Sequence, residues 1–170
     1  MVIETDKSRH DQLTPAQSPG ALPLVFQDWF ADKGWRPRSH QLDLLRRAQQ
    51  GGSTLLIAPT GAGKTLAGFL PALTELATRP KRKPGEPQKG IHTLYISPLK
   101  ALAVDIKRNL ETPIEEMSLS IAVETRTGDT PSHRRQRQKL VPPDLLLTTP
   151  EQVALLSCLA LRARAAAWFW

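Results

Sequence analysis

Apolar positions recur along the chain in two rhythms. In "LPLVFQDWFADKGW", Leu22, Val25, Phe26, Trp29 and Phe30 fall at helical spacing, and Gly34 supplies a stop. After "RPRSH", Leu42, Leu44 and Leu45 give a second helix an apolar face, closed by Gly51 and Gly52. "STLLIA" (53–58) is then a short continuous apolar run between turn signals, which predicts a buried strand. A helix follows from about Lys64 to Ala77.

After the turn-rich, basic stretch "RPKRKPGEPQKG", read as a surface loop, the same alternation repeats. "IHTLYIS", "LSIAVETR" and "DLLLTT" read as strands. "PLKALAVDIKRNLE", "PSHRRQRQKL" and "PEQVALLSCLALRARAAAW" read as helices. Near-continuous apolar strands alternating with helices predict parallel strands covered on both faces. Right-handed crossovers then give a doubly wound α/β layer. Residues 1–20 are polar, with Pro15, Pro19 and Gly20, and read as a disordered lead-in.

Between the first strand and its helix stands "APTGAGKT" (58–65). A mononucleotide loop is usually written G-x-x-x-x-G-K-[ST], and Ala58 occupies the first glycine's place. The remaining chemistry is intact. Gly61 and Gly63 let backbone N–H groups approach phosphate oxygens without an intervening Cβ. Lys64 can reach the terminal phosphates of ATP, and the Thr65 hydroxyl can ligate Mg²⁺. The start of the following helix adds its positive end. Thr60, Gly61, Ala62, Gly63, Lys64 and Thr65 are therefore the candidate nucleotide-binding residues.

Charge widens the picture from nucleotide to polymer. The chain of 170 residues carries a formal charge of +7 and a pI near 10.0, which favours a polyanionic partner. Excess Lys and Arg for solubility is the alternative. The single cysteine, Cys158, excludes an internal disulfide framework and suits a reducing cytoplasm. No apolar run approaches the roughly 18–20 residues of a membrane span. Aromatic residues make up 5% of the chain and do not interleave with its basic runs, so no base-stacking platform is evident.

Several stretches, in order, carry a family resemblance. "APTGAGKT" resembles motif I of superfamily 2 helicases, which tolerate alanine at the first position. "GWRPRSHQ" resembles the Q-motif region, "SPLKALAVD" motif Ia, "TRTGDT" the Thr-Gly segment after it, and "TTPEQ" motif Ib. The wording is nearest to the Lhr-type DExH-box branch of DNA helicases, which includes ligase-associated DNA-repair members. The resemblance implies a mostly parallel, P-loop (RecA-like) α/β sheet, incomplete here, with residues 21–156 as the N-terminal portion of an ATP-binding motor domain.

The resemblance also implies site roles. Gln41 would face adenine, where an amide can pair with the N6 and N7 edge; the alternative is a solvated glutamine. His40 and Arg38 would be its neighbours, with Arg38 a candidate phosphate contact. Ser97, Pro98 and Lys100 from motif Ia, Thr127 and Gly128 from the Thr-Gly segment, and Thr148, Thr149 and Pro150 from motif Ib would hold the sugar-phosphate backbone of one strand. The partner would be DNA, bound without sequence preference and weakened by salt, with RNA left open. For any single Ser or Thr, helix capping is the competing explanation. The basic run His133–Lys139 is a candidate contact or a solvated face.

ATP hydrolysis needs an Asp to hold Mg²⁺ and a Glu to position water. In the family these come from a D-E-x-H segment soon after motif Ib. No acidic residue follows Glu151 in this sequence, and Asp129 falls by resemblance near nucleic acid rather than Mg²⁺. Residues 157–170, ending Trp-Phe-Trp, read as an atypical tail. The expectation is a helicase fragment truncated or frameshifted before its DExH motif, and inactive alone. Two other readings compete: a small P-loop kinase, which would need acidic and arginine residues of its own downstream, and a genuine short non-catalytic nucleotide- or nucleic-acid-binding module.

Overall fold

The computed structural model describes residues 21–80 and 90–157, in two compact units that divide after Thr78. The expected disordered lead-in, the core of the basic loop (81–89) and the tail from residue 158 lie outside the described residues.

The first unit is helical. Helix α1 (Leu24–Asp32) buries Phe26, Trp29 and Phe30, three of the positions whose spacing predicts it. The Trp29 ring stands edge-on to Phe30 and to Trp35, at centroid distances of 5.1 and 5.7 Å. Gly34 ends the helix with φ of 65°, and its N–H donates back to the Ala31 carbonyl at 2.9 Å. Helix α2 (Ser39–Gln49) buries Leu45 completely, carries Arg46 and Arg47 in its last turn, and stops before Gly51 at φ 74°. It lies against α3 (Lys64–Thr78), which buries Ala67, Phe69, Leu70 and Leu73. Pro71 sits within α3 and removes one N–H; the Thr74 hydroxyl donates to the Pro71 carbonyl at 2.9 Å.

Residues 53–58 correct one expectation. They form no strand, and Leu55 and Ile57 are 83% and 86% exposed. An apolar run between turn signals records what a segment would bury. It does not supply the neighbouring strand whose hydrogen bonds make it one, and no described strand pairs with it.

The second unit holds the sheet. Strands β1 (Thr93–Ile96), β2 (Val123–Arg126) and β3 (Leu145–Thr148) run parallel in the order β1-β3-β2. Helix α4 (Lys100–Glu116) connects β1 to β2, and α5 (Ser132–Leu140) connects β2 to β3. A further helix opens at 150 and is followed to 157. Asp144 pins the start of the sheet: its carbonyl accepts from the N–H groups of His92 and Thr93, and its carboxylate from the N–H of Ala122.

The expected α/β class and parallel pairing are present. Coverage of both faces holds for β3, whose residues are all buried, but not for β1, where Leu94 and Ile96 are 46% and 48% exposed. An edge strand meets fewer elements than a central one, so its apolar side chains can lack a cover. Parallel strands put all their C-terminal ends on one side. The segments after β1, β2 and β3 therefore begin at the same sheet edge, where ligands collect in open α/β sheets. No described helix is long and apolar enough to cross a membrane.

Candidate functional site

In the first unit, the glycine loop is shaped by two residues that only glycine suits. Gly61 has φ of 78° and Gly63 φ of 72°. A Cβ on Gly63 would also stand 2.9 Å from the Gln41 amide nitrogen.

The carbonyls of this loop are held from the start of α2. Arg38 donates to the Gly61 carbonyl at 3.1 Å. His40 Nε2 lies 2.9 Å from the Ala62 carbonyl, a contact that places its proton on Nε2. Gln41 Nε2 is 3.4 Å from the Gly63 carbonyl, while its Oε1 accepts from the Arg38 N–H at 2.9 Å. A trans peptide carries its N–H opposite its C=O, and no peptide in the chain is cis. The Ala62 carbonyl is turned toward α2, and the Gly63 carbonyl takes the first bond of α3 from the Ala67 N–H at 3.0 Å beside its longer contact with Gln41, so the N–H groups of Gly63 and Lys64 face away from these partners. Among the described residues neither meets an acceptor outside the helix. Together with the unpaired N–H groups of the first turn of α3, they make the set of donors that an anion cradle needs.

Lys64 and Thr65 are exposed at this cradle. The Lys64 ammonium donates to the Ala58 and Pro59 carbonyls at 2.8 and 2.7 Å, so it is folded across the loop's entry. Exchanging those neutral acceptors for charged phosphate oxygens strengthens its bonds. Of the residues expected here, Thr60 and Ala62 belong to the loop itself. Gln41 and Arg38 grip the loop: Gln41 is 4% exposed with both ends of its amide engaged, and the Arg38 guanidinium meets a carbonyl rather than standing open.

In the second unit, the expected strand-binding residues gather beyond the C-terminal ends of the sheet, but not all of them offer a side chain. Ser97 is fully buried; its hydroxyl donates to the Leu99 carbonyl at 3.1 Å. Thr148 is fully buried and donates to the Arg126 carbonyl at 2.7 Å. These two hydroxyls are engaged within the fold, each by a backbone carbonyl. The Thr149 hydroxyl bonds the Glu151 carboxylate at the start of the helix. That bond, then the Glu151 N–H and more weakly the charge of Lys100, outweigh slight desolvation and hold Glu151 below the usual carboxylate range. Pro98, Lys100, Gly128 and Pro150 are exposed, and Thr127 is buried.

The Lys100 ammonium lies 2.8 and 3.0 Å from the two carboxylate oxygens of Asp129. This partner was not foreseen: 29 residues separate the two in sequence, and only the parallel arrangement of β1 and β2 brings them together. The basic run on α5 also divides in an unforeseen way. Arg137 pairs with Glu124, Gln138 is buried against Glu124 and the Thr125 carbonyl, and Arg135 turns onto the 127–130 loop. Arg126 is buried, and its Nε meets no acceptor among the described residues.

Comparison with known proteins bears on both regions. The DEAD/DEAH box helicase family model matches residues 38–166. The Lhr helicase/probable uracil glycosylase of Mycolicibacterium smegmatis is 42% identical over 153 residues, which are 84% of this chain and 10% of that protein. The ATP-dependent helicase Lhr-Core of Methanothermobacter thermautotrophicus is 42% identical over 150 residues, 81% of this chain and 17% of that protein. Among solved structures, Mycobacterium smegmatis helicase Lhr bound to ssDNA and AMP-PNP matches with a TM-score of 0.68 and 39% identity, over 82% of this chain and 18% of that one. The DUF1998 helicase MrfA bound to DNA matches with a TM-score of 0.66 and 28% identity, over 78% of this chain and 18% of that one. The chain thus spans about a tenth of the length of the first of these relatives.

Proposed function

We propose a function from one premise: the chain belongs to the DEAD/DEAH box helicase family. It supplies the nucleotide cradle and one strand-binding region of an ATP-dependent, Lhr-type helicase or translocase. The carrying observation is the glycine loop, with Gly61 and Gly63 at positive φ, its carbonyls held by Arg38, His40 and Gln41, and Lys64 across its entry.

The residues present fit a triphosphate with Mg²⁺. The N–H groups of Gly63 and Lys64 would receive phosphate oxygens, Lys64 would neutralise charge, and the exposed Thr65 hydroxyl would be one metal ligand. The metal neutralises phosphate charge when bound. Gln41 would reach adenine only through the capacity its amide retains beyond Arg38 and Gly63. For the polymer, the exposed Lys100 and Gly128 and the helix start at Pro150 would meet the backbone of a strand, DNA by likeness to the Lhr relatives. Such donors read phosphate and not sequence. ATP-driven movement along that strand is proposed for the whole protein, of which this chain is the length given above.

The experiment is a pair of titrations on the 170-residue chain. Lys64→Ala should weaken binding of a fluorescent ATP analogue by about 10–100-fold, the scale of lost charge-assisted hydrogen bonds. Unchanged affinity would remove the cradle assignment. Binding of a labelled single-stranded oligonucleotide should fall with salt, with a log–log slope of about −0.7 for each phosphate neutralised. A flat response would remove the backbone-contact assignment.

A further inference from the structure

We propose that Arg135 is a positioning residue for phosphate: its guanidinium fixes the Thr127–Thr130 loop so that two backbone N–H groups are aimed at a strand's phosphodiester. The inference rests on the strand-binding reading above and names the residue that sets up one of its contacts.

Three carbonyls of the loop converge on this one side chain. Arg135 Nε donates to the Thr130 carbonyl at 2.7 Å. Its Nη2 donates to the Gly128 carbonyl at 2.6 Å and to the Thr127 carbonyl at 3.3 Å. The loop is closed on itself as well: the Thr127 N–H donates to the Thr130 hydroxyl at 2.9 Å, and the Thr130 N–H to the Thr127 carbonyl at 3.2 Å. These bonds settle which way the peptides face. The Thr127 carbonyl shares a peptide with the Gly128 N–H, and the Gly128 carbonyl with the Asp129 N–H. In planar trans peptides the two N–H groups therefore point away from Arg135. No described residue accepts from either. The third carbonyl held by Arg135, that of Thr130, belongs to a peptide with Pro131 and leaves no N–H behind.

Two consecutive outward N–H groups are a backbone anion site. Space is available, since a Cβ on Gly128 would meet nothing within 4 Å. The charge balance agrees. Arg135 lies close enough to the buried Arg126 for its charge, after burial, to hold Arg126 below the usual guanidinium range. Two neighbouring guanidinium groups favour an anion nearby. Asp129 supplies the opposing charge, with its carboxylate drawn to Lys100.

Arg135 differs from a simple direct phosphate contact because its Nε and Nη2 donors face the loop's own carbonyls. A lysine cannot copy this. It keeps the charge but replaces a planar fork of donors with a point, so it cannot hold the three carbonyls as the Nε and Nη2 donors do. Charge and positioning therefore make opposite forecasts for Arg135→Lys.

The test titrates a labelled single-stranded oligonucleotide into the 170-residue chain, its Arg135→Ala variant and its Arg135→Lys variant, over a salt series, alongside a fluorescent ATP analogue. Both variants should bind the oligonucleotide about tenfold more weakly and bind the nucleotide within about twofold of the parent, on the scale where 1.4 kcal/mol is tenfold. Full affinity in Arg135→Lys would overturn the proposal in favour of a direct charge contact. Full affinity in both would overturn it outright. Salt-insensitive binding by the parent chain would instead remove the strand-binding reading, and this inference with it. Should the variants not fold, amide spectra of the parent chain decide. The Gly128 and Asp129 N–H signals should move on adding oligonucleotide while the Arg135 Nε–H signal holds its place. Unmoved amides, or a moving Nε–H, would overturn the proposal.

Discussion

The loop at 58–65 and the loop at 127–130 reach a similar arrangement from unlike sequences. Each turns carbonyls onto a neighbouring helix and leaves two consecutive N–H groups facing outward: Gly63 and Lys64 in one, Gly128 and Asp129 in the other. They differ in how the arrangement is secured. The first depends on two glycines at positive φ and on three side chains, each holding one carbonyl. The second has no residue at positive φ; besides two bonds within the loop itself, one arginine holds three of its carbonyls. A loop held from outside by three side chains weakens stepwise under mutation, whereas a loop held from outside by one side chain loses that hold at a single position.

The largest effect that could break this contrast is at Gly63. Gly63→Ala combines a positive φ with a 2.9 Å approach to Gln41. It should cost about 2–4 kcal/mol of folding stability or cradle geometry, from backbone strain plus the displaced contact. Urea unfolding and nucleotide titration would read it. The matching change, Gly128→Ala, meets open space and ordinary φ, so it should stay within about 0.5–1 kcal/mol. Equal costs for the two would erase the distinction.

Next comes the grip itself. His40→Ala removes one of three carbonyl holders and should weaken nucleotide binding about three- to tenfold, on the order of 1 kcal/mol for one hydrogen bond. A total loss of binding would mean that the support is not distributed. Smaller again is Asp129→Asn, which releases Lys100 from an exposed ion pair. Oligonucleotide binding should tighten about two- to fivefold, with little change in stability, as expected of a surface pair worth up to about 1 kcal/mol. Weaker binding would show that Asp129 orients Lys100 rather than competing for it.

The smallest effect is one of pH. Glu151 is held below the usual carboxylate range, first by the Thr149 hydroxyl and then by its own N–H. A depressed folded-state value means that its contribution is present above the ordinary carboxylate pKa and is lost as pH falls through the lower one. Amide exchange across 150–157 should therefore speed up at acid pH, and Glu151→Gln should remove that dependence.

Much of this was legible in the sequence because it is local. Helical spacing places α1 and α2, the glycine loop announces α3, and three apolar runs alternating with helices predict β1, β2 and β3 in parallel. The glycine loop was visible because its chemistry occupies eight consecutive letters. What stayed hidden was the contact each side chain makes, near or far in sequence. Ser97 and Thr148 read as ligand donors, but carbonyls of the fold take their hydroxyls, that of Leu99 before α4 and that of Arg126 in β2. Lys100 and Asp129 lie on different crossovers. Arg135 sat in a run whose charge drew attention to solvent or nucleic acid, while its geometry serves a loop a few residues away. The run at 53–58 had every local sign of a strand and no described partner.

That last segment also has a practical meaning. A protease binds its substrate as a short exposed stretch of backbone, free to be drawn into the cleft, with a preferred side chain at the cut. Leu55 and Ile57 present large aliphatic side chains to solvent on backbone with no regular structure. An enzyme that cleaves beside aliphatic residues should therefore nick the chain between 54 and 58 early in digestion. The cut would put α1 and α2 on one piece and the glycines and Lys64 on the other, with the two still packed through α2 and α3.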